Sequence, residues 1–393
     1  MKRLATIIMS MVISVLLIPL GVSLSSAAPT EIKYGYNAPL SGPAAPWGIL
    51  CGRSVETGII LMNEAAGFRV GGQDYKWKLV WADNGYVPSN AVNNARRLIQ
   101  EGVKFMCTMG GSCAIAVAPI TEKDAVLTLN MAMGGPGLTK PENPLTFRYN
   151  WDTPIVLGGF YHWVKKNRPD IKKVATINPD DETGWDAAKV SRNGAKAAGI
   201  EVVAEEFYPR ALADFYPIIT KILAKNPDLI DYGISPGGSA ALITLQSGEL
   251  KFKGTRLMYM PNVPLLLQKA GEYVEGTYAL GILPKPVTDE QKKAYNEYLK
   301  RYPAAEWDSV FYEMWDMMPV LTQAIQKAGS FDTRMIAKIL PALKFDTIYG
   351  IKSGFGGKST YGIDTVAIIP IPLSQFKGKD PVYIDTIVAP PGW

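Results

Sequence analysis

The amino-acid sequence predicts an α/β protein with parallel central sheets, organised as two similar halves. Short apolar runs alternate with amphipathic stretches from residue 32 to residue 132, and the same alternation restarts after residue 149. A stretch rich in glycine and proline, 133–144, separates the two halves. Strands that alternate with helices at this spacing are typical of βαβ units, whose strands pair in parallel.

The first half contains four predicted strands and three predicted helices. The strands are 32–39, 78–82, 105–109 and 126–132, and the helices are 54–65, 89–101 and 114–124. In the helix 89–101, Val92, Ala95 and Leu98 recur at the spacing that one buried helical face requires. Ser89, which follows Pro88, is the candidate N-cap of this helix.

The second half repeats the pattern and is followed by two more helical segments. Its predicted strands are 173–178, 201–207 and 229–234, and its helices are 154–167, 185–198, 214–225 and 238–250. The later helical segments are 289–301 and 309–328, and a tail rich in strands and glycine follows them.

The N-terminus, 1–28, has the pattern of a secretory signal peptide. Lys2 and Arg3 precede the apolar run 4–20, and small residues end at Ser26-Ala27-Ala28. The alternative is a retained membrane anchor, since the run approaches the roughly 20 apolar residues that span a bilayer. A proline and a glycine interrupt the segment and favour cleavage. We therefore expect a periplasmic protein, and an exported chain has no ATP or NAD(P)H to use.

Charge and cysteine content exclude further classes of protein. The formal net charge of +5 falls to +3 once Lys2 and Arg3 are removed, and no basic cluster interleaved with aromatic residues is present. Nucleic acid is therefore not expected as a partner. The three cysteines, Cys51, Cys107 and Cys113, allow at most one internal disulfide, and a Cys51–Cys113 bond and buried thiols are both open.

A series of short motifs runs in a characteristic order along nearly the whole chain after the leader. The motifs are Pro39-Leu40-Ser41-Gly42-Pro43, Trp47-Gly48, Asn63-Glu64-Ala65-Ala66-Gly67, Ala116-Val117-Ala118-Pro119, Phe147-Arg148, Glu205-Glu206-Phe207-Tyr208-Pro209, Glu275-Gly276, and Tyr312 with Asp316. In this order they resemble the leucine and branched-chain amino-acid-binding periplasmic proteins, which supply ABC importers.

The resemblance implies two Rossmann-like lobes joined by a three-segment hinge, with a small-molecule ligand in the cleft between them. Lobe 1 would take 30–149 plus about 286–345, and lobe 2 would take about 150–285 plus about 346–393. It further implies an ABC permease in the inner membrane as partner, and we expect a monomer that needs no cofactor or metal. In open α/β sheets, ligands lie beyond the carboxyl ends of the strands, near helix N-termini.

Two loops of lobe 1 are candidates to contact the ligand. Trp47 ends the first loop, where the resemblance places an aromatic ring over the ligand, and packing between loop and helix is the alternative. In the second loop, Gly111, Ser112 and Cys113 offer backbone N–H groups that suit a carboxylate. The serine of the family corresponds to Gly111, so Ser112 is either its shifted equivalent or a helix N-cap.

A third loop, Ala132-Met133-Gly134, matches the family segment whose carbonyl and hydroxyl hold an amino-acid head group, with Gly134 at the Ser/Thr position. Lobe 2 departs further, because the turn around Gly237, Ser235-Pro236-Gly237-Gly238, lacks the acid that would hold a ligand ammonium. An unpaired buried ammonium is destabilising. The sequence therefore favours a carboxylate, keto acid or aromatic acid over an amino acid, with amino-acid, amide or urea binding or sensing as the alternatives.

Three further side chains of lobe 2 are candidate ligand contacts, with packing within the lobe as the alternative for the two aromatic ones and an ordinary surface position as the alternative for the arginine. Trp185 and Tyr208 would supply aromatic surface, and Arg210 would supply a bidentate fork for a carboxylate.

A catalytic set is not apparent. His162 is the one histidine and lies on a predicted helix far in sequence from Cys113. The segment around Cys113 is not a nucleophile elbow, because Ala114 replaces the second glycine of that motif. The segment before Ser359 is not a phosphate-binding loop, because Lys352 replaces the first glycine of that motif. No Cys/His cluster suggests a metal site. We therefore predict a binding protein and not an enzyme, with an exported hydrolase as the weaker alternative.

Overall fold

The computed structural model describes residues 28–42, 44–133 and 137–391. The predicted signal peptide, apart from Ala28, and the predicted site residue Gly134 lie outside these residues.

Seventeen strands are present in the described residues. In chain order they are β1 Thr30–Ala38, β2 Phe68–Val70, β3 Gln73–Asp83, β4 Phe105–Thr108, β5 Leu127–Asn130, β6 Thr146–Arg148, β7 Lys173–Pro179, β8 Glu201–Tyr208, β9 Leu229–Asp231, β10 Thr255–Tyr259, β11 Tyr278–Leu280, β12 Phe345–Asp346, β13 Lys352–Ser353, β14 Phe355–Gly356, β15 Val366–Ala367, β16 Ile371–Lys377 and β17 Asp380–Ile387.

Twelve α-helices accompany them in the same part of the chain. They are α1 Ala45–Glu64, α2 Pro88–Gln100, α3 Gly111–Lys123, α4 Gly159–Asn167, α5 Glu182–Ala198, α6 Tyr216–Leu223, α7 Gly237–Glu249, α8 Val263–Ala270, α9 Asp289–Leu299, α10 Met317–Ala328, α11 Thr333–Ile339 and α12 Lys358–Tyr361. A π-helical turn, Pro154–Gly158, precedes α4, and a 3₁₀ segment, Ser309–Met314, precedes α10.

The strands form two large sheets, each with a parallel centre. The first has the order β14-β15-β6-β5-β4-β1-β3-β2, and the second has the order β17-β16-β11-β10-β9-β7-β8. Antiparallel pairing is confined to β2 and β14 in the first sheet and to β16 and β17 in the second. The strands β4, β5 and β9 are buried throughout, as expected for parallel strands covered on both faces. The predicted fold class, two α/β halves with parallel central sheets, is confirmed.

Part of the tail joins the first sheet, although the predicted boundary assigned residues after 345 to lobe 2. Val366 in β15 pairs with Arg148 in β6, and β14 pairs with β15. The physical reason is apolar burial, because the Phe355 ring packs edge-on against Phe147 at 5.5 Å between ring centroids. Only β16 and β17 of the tail extend the second sheet.

Several helices begin earlier than the sequence predicts. Helix α1 begins at Ala45, since Pro46 fits the first turn, where its missing N–H is no loss. For the same reason Pro88 lies in the first turn of α2, so Val87 and not Ser89 is the N-cap. Among the described residues, no helix combines the length and the apolar character needed to cross a bilayer.

Three chain segments cross between the two sheets, and they are 149–153, 281–286 and 368–370. Trp151 belongs to the first segment and contacts the other two. Its backbone N–H donates to Glu313 Oε1 at 2.9 Å, and its indole Nε1 donates to the Pro370 carbonyl at 2.9 Å. Its ring lies so close to Gly281 that a Cβ atom there would be 3.3 Å away. This arrangement agrees with the three-segment hinge that the resemblance implies.

Candidate ligand-binding site

The candidate site lies where central strands of both sheets end and four helices begin. We call the ends of these strands in the first sheet, with the loops that follow them, the first edge, and those of the second sheet the second edge. Helices α1 and α3 follow β1 and β4, and helices α5 and α7 follow β7 and β9. The first turn of each helix leaves backbone N–H groups without helical partners, which favours polar or anionic ligands. Tyr86, which follows β3, lies beside the start of α3, since a Cβ atom on Gly110 would be 3.1 Å from its ring.

Trp47 lies in the first turn of α1, and the neighbouring Gly48 fixes that turn against β1. A Cβ atom on Gly48 would be 1.9 Å from the Pro39 carbonyl oxygen, so only glycine permits this approach. The Trp47 side chain is not part of the core and is 40% exposed. It is therefore open to a ligand, and the predicted contact remains a prediction.

The second loop brings Gly111 and Ser112 to the start of α3. The N-cap is Gly110, with a φ of 104°, so Ser112 is not the N-cap that the sequence allowed. Cys113 is fully buried in an apolar cluster with Leu98 and Met106. The Cys113 side chain therefore offers nothing to a ligand, and the predicted contact through the backbone N–H groups of this loop remains a prediction.

The three cysteines are each buried and unbonded. Burial raises the pKa of the Cys51 and Cys107 thiols, that of Cys107 to about 12. His162 is exposed on α4, whereas Cys113 is enclosed in the first half. The structure thus brings no thiol and imidazole together, and no group of residues in the described chain is placed to hold a metal ion.

In the third loop, Ala132 is already engaged by the hinge. Its carbonyl accepts a hydrogen bond from Arg148 Nη1 at 3.0 Å, and its N–H approaches Asn150 Oδ1 at 3.4 Å. Arg148 is fully buried, pairs with Asp152 at 3.2 Å and lies over the Tyr361 ring. The Arg148 guanidinium therefore already donates to the carbonyl that, by the resemblance, would accept a hydrogen bond from a ligand ammonium. Met133 follows Ala132 and is partly buried against the core.

Arg210 and Asp181 form an ion pair at the second edge. Asp181 is also the N-cap of α5 and accepts from the Gly184 N–H at 3.1 Å. Partial burial opposes ionisation of Asp181, but hydrogen bonds from Arg210 and Gly184 outweigh it and lower the pKa. The neighbouring Asp180 accepts from Trp185 Nε1 at 2.9 Å, and the Trp185 side chain is 55% exposed.

Three buried polar groups at the second edge have no hydrogen-bond partner of good geometry among the described residues. They are Asn178 Nδ2, the Tyr208 hydroxyl and Ser235 Oγ, which follow or end the adjacent strands β7, β8 and β9. The Tyr208 hydroxyl lies beside Ser235 and Ser239, and its ring packs on Phe215 at 4.9 Å. Buried polar groups are usually hydrogen-bonded, so a ligand is a natural partner for them. Gly237 is partly exposed and begins α7 next to these groups.

Sequence reasoning missed Tyr86 and Asn178. Tyr86 follows β3, and Asn178 lies at the end of β7. A position at the carboxyl end of a strand is the one local signal that could have identified them. Tyr86 is a candidate because its ring packs on Gly110 at the start of α3, and Asn178 because its buried Nδ2 has no hydrogen-bond partner among the described residues.

Comparison with known proteins decides the family. The sequence model of the family described as periplasmic binding protein matches residues 31–371. The chain belongs to this family. A leucine/isoleucine/valine-binding protein homolog of Brucella melitensis is 26% identical over 328 residues, which cover 81% of this chain and 85% of the relative. The predicted membership of a leucine-binding-like family is thus confirmed.

Solved structures of similar proteins share the fold. A leucine-binding protein from Thermotoga maritima is 25% identical, with a TM-score of 0.73 over 91% of this chain and 98% of its own. A solute-binding protein from R. palustris, in complex with 4-hydroxybenzoate, is 19% identical, with a TM-score of 0.75 over 92% and 98%. The family is one of binding proteins, and the Brucella relative is named as one, in agreement with the prediction of a binding protein and not an enzyme.

Proposed function

We propose that this periplasmic binding protein closes on a small carboxylate that lacks an α-ammonium group, and delivers it to an ABC permease in the inner membrane. The ligand class is inferred from the polar and acidic side chains at the second edge. Its unpartnered buried groups, on Asn178, Tyr208 and Ser235, are neutral. Its two nearby acids, Asp180 and Asp181, already have partners.

The first edge supports the same ligand class. An ammonium bound at the third loop would need the Ala132 carbonyl, which Arg148 already holds. The nearby Asp152 carboxylate cannot serve an ammonium either, because it pairs with Arg148 and accepts from the Tyr361 hydroxyl.

The carboxylate is proposed to bind the N–H groups of Gly111 and Ser112 at the start of α3, because helix N-termini favour anions. Arg210 is half exposed, so its remaining N–H groups can reach a ligand from the other side of the cleft. Trp47 and Trp185 would cover the apolar or aromatic body of the ligand.

Branched-chain amino-acid binding is the second candidate. It is favoured by the relatives, one of which is named as a leucine/isoleucine/valine/threonine-binding protein and is 26% identical over 328 residues. Aromatic acids are favoured by the similarity in fold to the 4-hydroxybenzoate complex. Export through the N-terminal leader, action as a monomer and delivery to a permease complete the proposal.

The experiment is a thermal-shift screen of protein that has been unfolded and refolded to remove any bound ligand. The panel contains benzoate, 4-hydroxybenzoate, 4-methyl-2-oxopentanoate, leucine and valine. A ligand at a hundred times its Kd stabilises the native state by about 2.7 kcal/mol, enough to raise the melting temperature measurably. The proposal predicts stabilisation by one or more of the acids that lack an ammonium. Stabilisation by leucine or valine alone would overturn the ligand class and leave the family assignment intact.

A further inference from the structure

A groove of about 420 Å³ lies outside the cleft, along helices α4 and α5. This volume is within the range of small-molecule sites in proteins. One face of each helix forms the walls, and Tyr361, Pro390 and Pro391 from the tail complete the lining. None of the residues that we assign to the candidate site in the cleft belongs to this groove.

The two helices lie side by side and run in the same direction. A Cβ atom on Gly194 of α5 would be 2.9 Å from Tyr161 Cδ2 of α4, so the helices pack closely at that point. One turn further along both helices, Lys165 Nζ donates to the Ala197 carbonyl at 2.9 Å. The groove therefore follows the pair of helices from their starts towards Lys165.

The end of the groove beside the start of α4 is mainly apolar. A Cβ atom on Gly158, directly before α4, would be 3.4 Å from Pro390 Cγ. Val190 and Pro391 add apolar surface to the lining. Asp186, near the start of α5, is an acid of the lining and has interactions of its own within the protein. An apolar group of a ligand could bury surface at this end.

The charged groups in the rest of the lining are basic. They are His162 and Lys165 of α4 and Lys189 of α5. Lys165 donates one hydrogen bond to the Ala197 carbonyl, but an ammonium group has further N–H donors for a ligand. The two ammonium groups outnumber the carboxylate of Asp186. An anion is therefore the charge that this part of the groove favours.

The groove also joins the two halves of the molecule. Helices α4 and α5 belong to the second half, whereas Tyr361 lies in α12, which follows β14 of the first sheet. The Tyr361 hydroxyl donates to Asp152 Oδ2 at 2.7 Å, in the first segment of the hinge. A molecule in the groove would therefore contact both halves beside the hinge.

We propose that the groove along α4 and α5 is a second ligand-binding site, which takes a small organic anion with an apolar body. The anionic group pairs with Lys165 and Lys189, and the apolar body lies against Val190, Pro390 and Pro391. Charge complementarity and apolar burial thus act at opposite parts of one ligand. The site does not depend on which ligand the cleft binds.

His162 is the one histidine of the sequence and lines the groove, so its imidazole is a local reporter. The test is a proton NMR titration of protein without a histidine tag. The probe is anilinonaphthalene sulfonate, which combines aromatic rings with a sulfonate. The His162 signals should shift and approach saturation at about 1 mM probe, a concentration that reveals even a weak ligand. Absence of a saturating shift would overturn the inference.

A charge variant shows whether the probe binds beside Lys165. Lys165→Gln should raise the Kd by roughly twofold to fivefold, as expected for the loss of a partly exposed ion pair. Lys166→Gln is the matched control, because Lys166 is the neighbouring exposed lysine of α4 and does not line the groove. It should leave the Kd unchanged. An equal rise in both variants would mean that surface charge and not the groove attracts the probe, and would overturn the inference.

A second variant fills the groove without changing its charge. Ala197 is exposed and lines the groove, so Ala197→Trp adds a large side chain there without disturbing the core. The saturating shift of His162 should disappear in this variant. A shift like that of wild type would overturn the inference. Such a failure would leave the function proposed for the cleft untouched, since the two sites share no residue.

Discussion

Gly48 and Pro39 are in such close contact that a Cβ atom on Gly48 would be 1.9 Å from the Pro39 carbonyl oxygen. The second half repeats the relationship, since a Cβ atom on Gly184 would be 1.9 Å from the Pro179 carbonyl oxygen. In each half a tryptophan adjoins the contact glycine, Trp47 before Gly48 and Trp185 after Gly184. The same backbone contact therefore sets one exposed aromatic ring at each edge of the cleft.

Gly48→Ala should displace the first turn of α1 and the ring of Trp47 with it. Forced contacts of this kind lower the free energy of unfolding by about 1–3 kcal/mol. Chemical denaturation and ligand titration would measure both effects. The control is Gly58→Ala in the same helix, where the nearest atom would be 3.9 Å away. That variant should gain about 0.5–1 kcal/mol, because alanine favours a helix interior. A Gly48→Ala variant as stable as wild type would contradict the contact.

Trp47→Ala should weaken ligand binding without unfolding the protein. Loss of a large apolar contact corresponds to about 1.5–3 kcal/mol of binding energy, or roughly a tenfold to hundredfold rise in Kd. The melting temperature of the unliganded protein should change little, because the side chain lies partly in solvent. Leu299→Ala, at a similarly exposed position (39%) on α9, should leave the Kd unchanged. Equal affinity in Trp47→Ala and wild type would show that the cleft assignment is wrong.

Arg210→Ala should weaken carboxylate binding by about threefold to tenfold, because it removes a charge-assisted donor. It should also make binding less sensitive to salt, since screening then acts on one charge fewer. Arg192→Ala is the matched control, because Arg192 forms a comparable half-exposed ion pair, with Glu205 at 3.0 Å. Titrations at low and high salt would compare the two variants. Equal effects of both substitutions would indicate that Arg210 serves only its pair with Asp181.

Glu313→Gln should change how stability depends on pH. Glu313 is buried, and burial raises the pKa of its carboxyl to about 8, from about 4.3 in an unfolded chain. Between these values the folded state holds a proton that the unfolded state has lost, so stability falls as pH rises towards 8. Glutamine does not titrate, so the stability of the variant does not fall in this way as the pH rises. It should match wild type near pH 5 and exceed it by roughly 2–4 kcal/mol near pH 8.5.

Denaturation at both pH values measures the Glu313 effect. Glu142→Gln, a change at an exposed glutamate, is the control and should follow wild type throughout. Asp316 is partly buried, which raises the pKa of its carboxyl to about 7, and it contributes equally to all three proteins. A constant difference between Glu313→Gln and wild type across this range would contradict a proton held at Glu313.

The sequence predicted the arrangement of strands and helices well, because apolar periodicity is a local property. In the structure Arg148 pairs with Asp152 where the chain leaves the first sheet. The sequence did not predict that Arg148 also takes the Ala132 carbonyl, since sixteen residues separate them along the chain. That contact depends on β5 and β6 being neighbours in the sheet.

The errors have two physical sources. Helix starts were misplaced at α1 and α2, where a proline lies in the first turn, and at α3, which begins at a glycine. The earlier start of α3 places Cys113 inside the helix with its side chain in the core. Contacts between residues far apart in sequence, such as the Tyr86 ring on Gly110 or the Trp151 N–H donating to Glu313, arise only in the folded chain. The pattern of one segment carries no information on them.

The most direct test of the central claim compares acids that differ only in the α-ammonium group. We would titrate the refolded protein calorimetrically with 3-phenylpropanoate and phenylalanine, and with 4-methylpentanoate and leucine. If the cleft holds a carboxylate without a partner for an ammonium, the acid of a pair that lacks the ammonium should bind at least about tenfold more tightly, since an unpaired buried charge costs more than 1.4 kcal/mol. Tighter binding of leucine or phenylalanine than of its deaminated partner would contradict the account.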